Sequence, residues 1–324
     1  MHKIPDIFQY NRQKIFLIEQ KLSEKIAGFM KSWVFFRVSA LVIAVSSSIF
    51  SSPVSEKWFL EQADLQALRM ENQVILDARD EGQRKKRPLA NAIPVQWEIF
   101  SENSDTKKGL LKSKLEILEI LSKLKIQKTS EVLVIGDPSS GWGEDARIVY
   151  TLRSVGVLKS YLIDGGANSF FQFLSNQKQK PSGKKSVSLF QKTSEDLTVA
   201  LSELKKDKIS KDLFIVDSRD TIEYRGVPIY GEERGGHIPN AASIPFKQFL
   251  GKDGKILPKE KVLNLLKTKG WKEGQTVVSY CTGGVRSSFT TAVLRNYGIS
   301  AKNYSGSMWE YSSQNAEEFP LEKF

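Results

Sequence analysis

The stretch SYCTGGVRSS, residues 279–288, carries the only cysteine of the chain. Cys281 is followed by Thr282, Gly283, Gly284, Val285 and Arg286, and then by a segment that reads as a helix from about Ser287 to Tyr297. Glycines let successive backbone N–H groups turn inward and form an anion-binding nest. The start of a helix adds partial positive charge, and Arg286 adds a full one. All three favour thiolate over thiol, so Cys281 is expected to have a depressed pKa and to act as a nucleophile. An inert, apolar buried thiol is the ordinary fate of a free cysteine, and the chemistry of this loop argues against it.

Two thiolate chemistries use a cysteine, a loop and an arginine in this order. One hydrolyses phosphate esters through a cysteinyl phosphate. The other moves sulfur through a cysteine persulfide. Four residues separate Cys281 from Arg286. The phosphatase cradle is longer and leaves room for a tetrahedral phosphate. The shorter one suits a single terminal sulfur, which favours sulfur transfer.

The composition narrows the alternatives. One cysteine rules out an internal disulfide and a cysteine-based zinc site. The two histidines are His2 and His237, so a Ser-His-Asp triad or a multi-histidine metal site would rest on His237 alone. No metal site, P-loop or dinucleotide glycine motif is read, and no cofactor is expected. The formal net charge of +11 favours anionic partners. The lysines are scattered and no stripe of arginines interleaves with aromatics, so nucleic acid is not expected as a partner.

The elements that must position the loop are repeated along the chain. VILDARD (74–80) recurs as LFIVDSRD (213–220), and NAIPVQW (91–97) as NAASIPF (240–246). EVLVIGDP (131–138) recurs as TVVSYCTG (276–283), YTLRSVGV (150–157) as AVLRNYGI (292–299), and YLIDGGANSFF (161–171) as KNYSGSMWEY (302–311). Five segments in one order at nearly constant offset mark a duplicated domain. Residues 56–176 are expected to be the first copy and 194–324 the second, with 177–193, rich in lysine with Pro and Gly, as the linker.

Within each copy, short apolar runs ending in Asp read as buried parallel strands. LLKSKLEILEILSKLKI (110–126) reads as a helix with Leu111, Leu115, Leu118 and Leu121 on its apolar face, and PKEKVLNLLKTKG (258–270) as its counterpart. Strand, helix, strand, helix is the doubly wound α/β pattern, which puts ligands at the carboxyl ends of the strands. Cys281 directly follows the strand TVVSY. In the first copy, Asp137 or Ser139 is expected at the place of the cysteine, so that copy cannot form a persulfide.

Residues 1–55 are expected to lie outside the fold. MKSWVFFRVSALVIAVSSSIFSSPVS (30–55) has a basic flank, a short apolar run and small residues after it, the form of a secretory signal beginning at Met30. That places the protein in a periplasm or outside the cell. The alternative is an uncleaved anchor in the inner membrane through residues 33–50. Residues 1–29 are then expected to be an over-extended gene start.

The segments VDSRD (216–220), EYRG (223–226), RGGHIPNAASIPF (234–246), YCTGGVRSS (280–288) and YSGSMWEY (304–311) together resemble the tandem-domain rhodaneses, the thiosulfate and 3-mercaptopyruvate sulfurtransferases. The resemblance covers about residues 57–324. It implies an α/β fold of two tandem rhodanese-like doubly wound domains, each a parallel sheet flanked by helices, the first inactive. It implies that Cys281 carries the sulfur as a persulfide and that the backbone of Thr282, Gly283, Gly284, Val285 and Arg286 cradles it. Arg286, with Arg225 or Arg234, would hold a small anionic sulfur donor. Asp217, Arg219 and Ser287 would support the site, and His237 would be structural. The acceptor would be cyanide or a thiol.

Donor choice is read from a few positions of the same resemblance. Thr282 and Gly283 lean toward mercaptopyruvate. Arg286 leans toward thiosulfate, and Glu223 stands where mercaptopyruvate enzymes tend to have an arginine. Thiosulfate is the favoured donor. A non-catalytic rhodanese-like binding protein and a cysteine-dependent phosphatase are the remaining readings.

Overall fold

The structure, a computed structural model, describes residues 57–104, 107–177 and 196–323. The expected signal or anchor segment therefore lies outside the described residues, as does nearly all of the expected linker. Among the described residues, no helix is long and apolar enough to cross a membrane.

The first copy runs β1 (Phe59–Leu60), α1 (Gln62–Ala67), β2 (Gln73–Asp77), α2 (Glu81–Lys86), β3 (Ile93–Pro94), α3 (Lys114–Lys123), β4 (Glu131–Ile135), α4 (Glu144–Ser154), β5 (Ser160–Ile163) and α5 (Gly166–Gln177). The second runs β6 (Leu213–Asp217), α6 (Thr221–Tyr224), β7 (Ala242–Ser243), α7 (Lys259–Thr268), β8 (Thr276–Tyr280), α8 (Val285–Asn296), β9 (Ala301–Asn303) and α9 (Ser307–Ser312). The sheets are ordered β1-β5-β4-β2-β3 and β7-β6-β8-β9, and every strand pair is parallel. A parallel bridge between Thr198 and Asn303 stands in the second sheet where β1 stands in the first. The repeat in the letters is thus a repeat in strand order. Asn91 and Asn240, the repeated asparagines of the NA segments, even share a left-handed backbone, with φ of 60° and 62°.

The described residues form one compact unit. Side chains on one face of each sheet meet in a central core, and the other faces have cores of their own. Along β4 the alternation is direct: Val132 and Val134 point into the central core, Leu133 and Ile135 into the outer one. The helices α4 and α8 lie in the middle. Asp145–Arg153 of α4 and Val285–Arg295 of α8 are buried throughout, so neither helix has a polar solvent face. Phe289 of α8 meets Phe59 and Phe246 edge-on, at 5.7 and 5.8 Å between ring centroids. The Asn296 carboxamide at the end of α8 accepts from the N–H groups of Trp58 and Phe59.

The helix expected over 110–126 is shorter and turned differently. It starts at Lys114, capped by the Ser113 hydroxyl and the reciprocal Glu116 carboxylate. Residues before it instead pair with 100–102, and Leu111 reaches the core from that bridge. The buried stripe passes through Ile117 and Leu121, while Leu115 is 74% exposed. Ile117→Ala is expected to lower unfolding free energy by about 2–4 kcal/mol. Leu115→Ala should change it by less than about 0.5 kcal/mol. Urea denaturation of both variants checks this; equal losses would reject the observed register.

Candidate active site

Strand β8 ends at Tyr280, and the chain turns at Cys281 into a loop closed by Gly284, whose φ of +80° is the left-handed cap of α8. The turn aims the Gly284 N–H at Cys281 Sγ, 3.1 Å away, and the Ser287 hydroxyl at the same atom, 3.5 Å away. The thiol is 1% exposed. Burial pushes it up, but the Arg286 charge and hydrogen bonds from Ser287 and the loop backbone outweigh burial, and its pKa falls below the ordinary thiol value.

The loop is clamped from α9. Ser307 accepts the Cys281 N–H at 3.0 Å and donates to the Tyr304 carbonyl at 2.7 Å. It does so with φ of 51°, a strained angle for a residue other than glycine. The carbonyls of Cys281 and Thr282 accept from Met308 and Trp309 N–H. This is what the YSGSMWEY segment does, and Ser307 could not be singled out from the letters.

Arg286 lies close enough to the thiol to act on it, but its charge is already engaged. It donates two hydrogen bonds to the buried Glu223 carboxylate, at 2.6 and 2.7 Å, and one to Thr282 Oγ1 at 2.7 Å. Burial opposes its charge, yet the Glu223 pairing and Cys281 hold it protonated. The Thr282 hydroxyl reaches Glu223 at 2.9 Å and Glu232 at 3.2 Å.

Asp217 and Arg219 form a bidentate pair at the end of β6, tied to Tyr280 and to the Gly236 carbonyl. Asp77 and Arg79 form the same pair in the first copy, which has no thiol. The pair is therefore shared scaffolding of both sheets rather than something peculiar to the cysteine. His237 stacks on Tyr224 at 3.8 Å and shares an antiparallel bridge with Glu322.

Two sequence expectations need correction. Arg234 donates to the carbonyls of Tyr311, Ser312 and Phe319, which fastens the C-terminal segment, and it does not line the cavity over Cys281. Arg225 is exposed, and it does not line the cavity. The motif letters fixed their chain positions but not their directions.

The cavity over Cys281 has a volume of about 250 Å³. Trp142, Tyr230, Trp309 and Trp97 wall it, with Glu144 beside them and Thr282, Gly283, Val285 and Arg286 at its floor. Trp97, Trp142 and Glu144 come from the first copy. Trp142 and Tyr230 meet edge-on at 5.2 Å, and the Arg286 guanidinium sits 4.8 Å from the Trp142 ring centre. These wall residues were not found from sequence, since nothing local in the chain connects them to Cys281.

In the first copy the place of the thiol is taken. Asp77 pairs with Ile135 in the ladder as Asp217 pairs with Tyr280, so Gly136, not Asp137 or Ser139, stands at the place of Cys281. A Cβ there would overlap the Asp145 carboxyl group. Gly143 and Gly284 are matching left-handed caps, so Asp145 of α4 occupies the helical position of Arg286. An anion-stabilising cation is replaced by an acid. Burial, with Glu144 beside it, pushes the Asp145 pKa up to about 7.

Residues 200–314 match the family described as Rhodanese-like domain. A stretch of 108 residues is 32% identical to the Mycobacterium bovis protein named "Putative thiosulfate sulfurtransferase 1", covering 31% of this chain and 39% of that relative. The sulfur carrier protein TtuD of Thermus thermophilus is 26% identical over 219 residues, 62% of this chain and 74% of its own. The solved 3-mercaptopyruvate sulfurtransferase from Leishmania major shares the fold, with a TM-score of 0.59 and 22% identity over 79% of this chain and 74% of that one. A parallel α/β sheet with a thiol at the mouth of a helix-capping loop defines the class. Residues 200–314 are a rhodanese-like domain, and the chain is similar to the sulfurtransferases named above.

The raised Asp145 pKa has a consequence for stability. Between the unfolded carboxyl value and about 7, the native state keeps a proton that the unfolded chain releases, so stability falls as pH rises, and the full penalty is present above 7. Asp145→Asn should therefore stabilise the fold by roughly 2–4 kcal/mol at pH 8, and by less than half of that at pH 5. Denaturant unfolding at the two pH values measures it; a gain independent of pH would contradict the assignment.

Proposed function

We propose that the protein is a sulfurtransferase that moves a sulfane sulfur from thiosulfate to cyanide or a thiol through a persulfide on Cys281. The observation that carries this reading is the thiol itself: a buried Sγ receiving the Gly284 N–H at 3.1 Å, at the floor of an open cavity. The rhodanese-like domain match over residues 200–314 supports the reaction class, and the names of the relatives support sulfur as the group moved.

The Cys281 thiolate attacks the outer sulfur of thiosulfate. A new S–S bond forms to Cys281, the donor's S–S bond breaks, and sulfite leaves with its electron pair. The acceptor then attacks the outer persulfide sulfur. Cyanide leaves as thiocyanate, and the Cys281 thiolate is restored. The depressed pKa of Cys281 serves both halves, since it supplies the nucleophile first and the leaving group second. The Gly284 N–H and the α8 N-terminus face the sulfur that carries the charge in each half.

Small neutral Thr282 and Gly283 and the aromatic walls favour 3-mercaptopyruvate as the second reading. The enzyme is proposed to act in the periplasm or outside the cell, on the strength of the residue 30–55 segment alone. The test is steady-state thiocyanate formation with each donor in parallel, for the wild type and Cys281→Ala. Thiosulfate should give the higher kcat/KM, and the variant should fall to the uncatalysed rate. Thiocyanate formation that survives Cys281→Ala would reject the mechanism, and turnover of 3-mercaptopyruvate alone would reassign the donor.

A further inference from the structure

The second copy's buried charges do not balance. Asp217, Glu223 and Glu232 are buried beside the cysteine loop, against only Arg219 and Arg286. A thiolate or persulfide anion on Cys281 adds another negative charge to an interior already short of positive ones. Left so, the anion would be disfavoured by its own scaffold.

The first copy holds an arginine with the opposite problem. Arg147 of α4 is fully buried, and among the described residues no carboxylate pairs with it. Its donors go to neutral oxygens: the Gly109 carbonyl at 2.6 Å, and the Ser101 hydroxyl and Gly284 carbonyl, each at 3.4 Å. Among the described residues its Nε has no hydrogen-bond partner. Removing a guanidinium from water without a counterion is costly, and stable folds rarely keep one without a use.

Its position supplies the use. A Cβ on Gly284 would lie 2.6 Å from Arg147 Nη1, so the guanidinium packs against the very residue whose N–H touches Cys281 Sγ. We propose that Arg147 is the second cation of the active site: the thiol-less copy delivers it beneath the Cys281 loop, where its charge holds the thiolate and the persulfide anionic. Arg147 is a positioning and electrostatic residue, because it acts through the loop and does not enter the cavity. Burial lowers its own pKa to about 10, with Tyr150 and Cys281 opposing, so it stays charged at neutral pH. Serine stands at the equivalent helical position of the second copy, where Ser288 donates to the Gly284 carbonyl at 2.6 Å. The two copies thus meet at one carbonyl, one with a hydroxyl and one with a charge.

The other groups facing this region are Arg286 with Asp220 and Glu223, Glu232 through Thr282, Glu144 and Tyr230 on the cavity wall, and Tyr150 beside Arg147. All remain in the variants below, so a change in Cys281 titration reports on Arg147. Because the chain has one cysteine, iodoacetamide alkylation of the full-length protein reads that thiol alone.

Arg147→Met should move the pH midpoint of alkylation up by about one unit, and Arg147→Lys should return most of that shift. Ser101→Asp leaves Arg147 in place but gives it a carboxylate, and should also raise the midpoint. A folded Arg147→Met protein with the wild-type midpoint overturns the inference. So does an Arg147→Lys midpoint equal to that of Arg147→Met, since shape rather than charge would then be at work. Where Arg147→Met does not fold, an unmoved midpoint in Ser101→Asp overturns it. The inference rests on Cys281 being the reactive group of the proposed function, but alkylation needs no sulfur donor. Absent sulfur transfer with an Arg147-dependent midpoint would reject the function alone, and normal transfer with an unmoved midpoint would reject the inference alone.

Discussion

An anion on a sulfur atom that is 1% exposed must be held by the protein, because water cannot do it. That constraint organises the second copy. The parallel strand β8 ends where the field of α8 begins, and the glycine cap turns a backbone N–H onto the sulfur. The strained Ser307 fixes the Cys281 backbone so that this geometry does not relax. Arg286 is the nearby full charge, and Glu223 fixes its direction with two short hydrogen bonds while drawing off part of its field. The Arg286–Glu223 pair is therefore rigid and nearly neutral, and placed donors must act beside charge in holding the sulfur anion.

Duplication supplies what one copy lacks. The first copy has lost the thiol position to Gly136, and the space is taken by Asp145, at the helical place of Arg286. It retains the strand order, the Asp77–Arg79 pair and the buried helix α4. Packed against α8 through a shared core, it turns Trp97, Trp142 and Glu144 toward the other copy's thiol. A single copy would leave α8 with an apolar face in water and the cavity without two of its walls.

What could be read from the letters follows the range of the interactions. Strands β2, β4, β6 and β8 are local apolar runs, and the cysteine loop is local in sequence, so both were legible. The helix α3 was legible as an element but not in its facing, because a start displaced to Lys114 rotates the buried stripe from Leu115 to Ile117. Arg225 and Arg234 sit in motif segments near Glu223, yet only Glu223 turns inward, and no spacing rule distinguishes the three. The cavity walls Trp97 and Trp142 were invisible because they belong to the other copy, more than a hundred residues from Cys281. Arg147 was invisible for the same reason, and because an arginine in a helix gives no sign of burial.

The central claim is that Cys281 carries sulfur. The most direct measurement is the intact mass of the protein after incubation with thiosulfate and removal of excess donor, followed by a second mass after addition of cyanide. The account predicts one added sulfur atom, located on the peptide containing Cys281, and its complete loss to cyanide. A folded protein whose thiol still alkylates but which gains no sulfur from thiosulfate would contradict it.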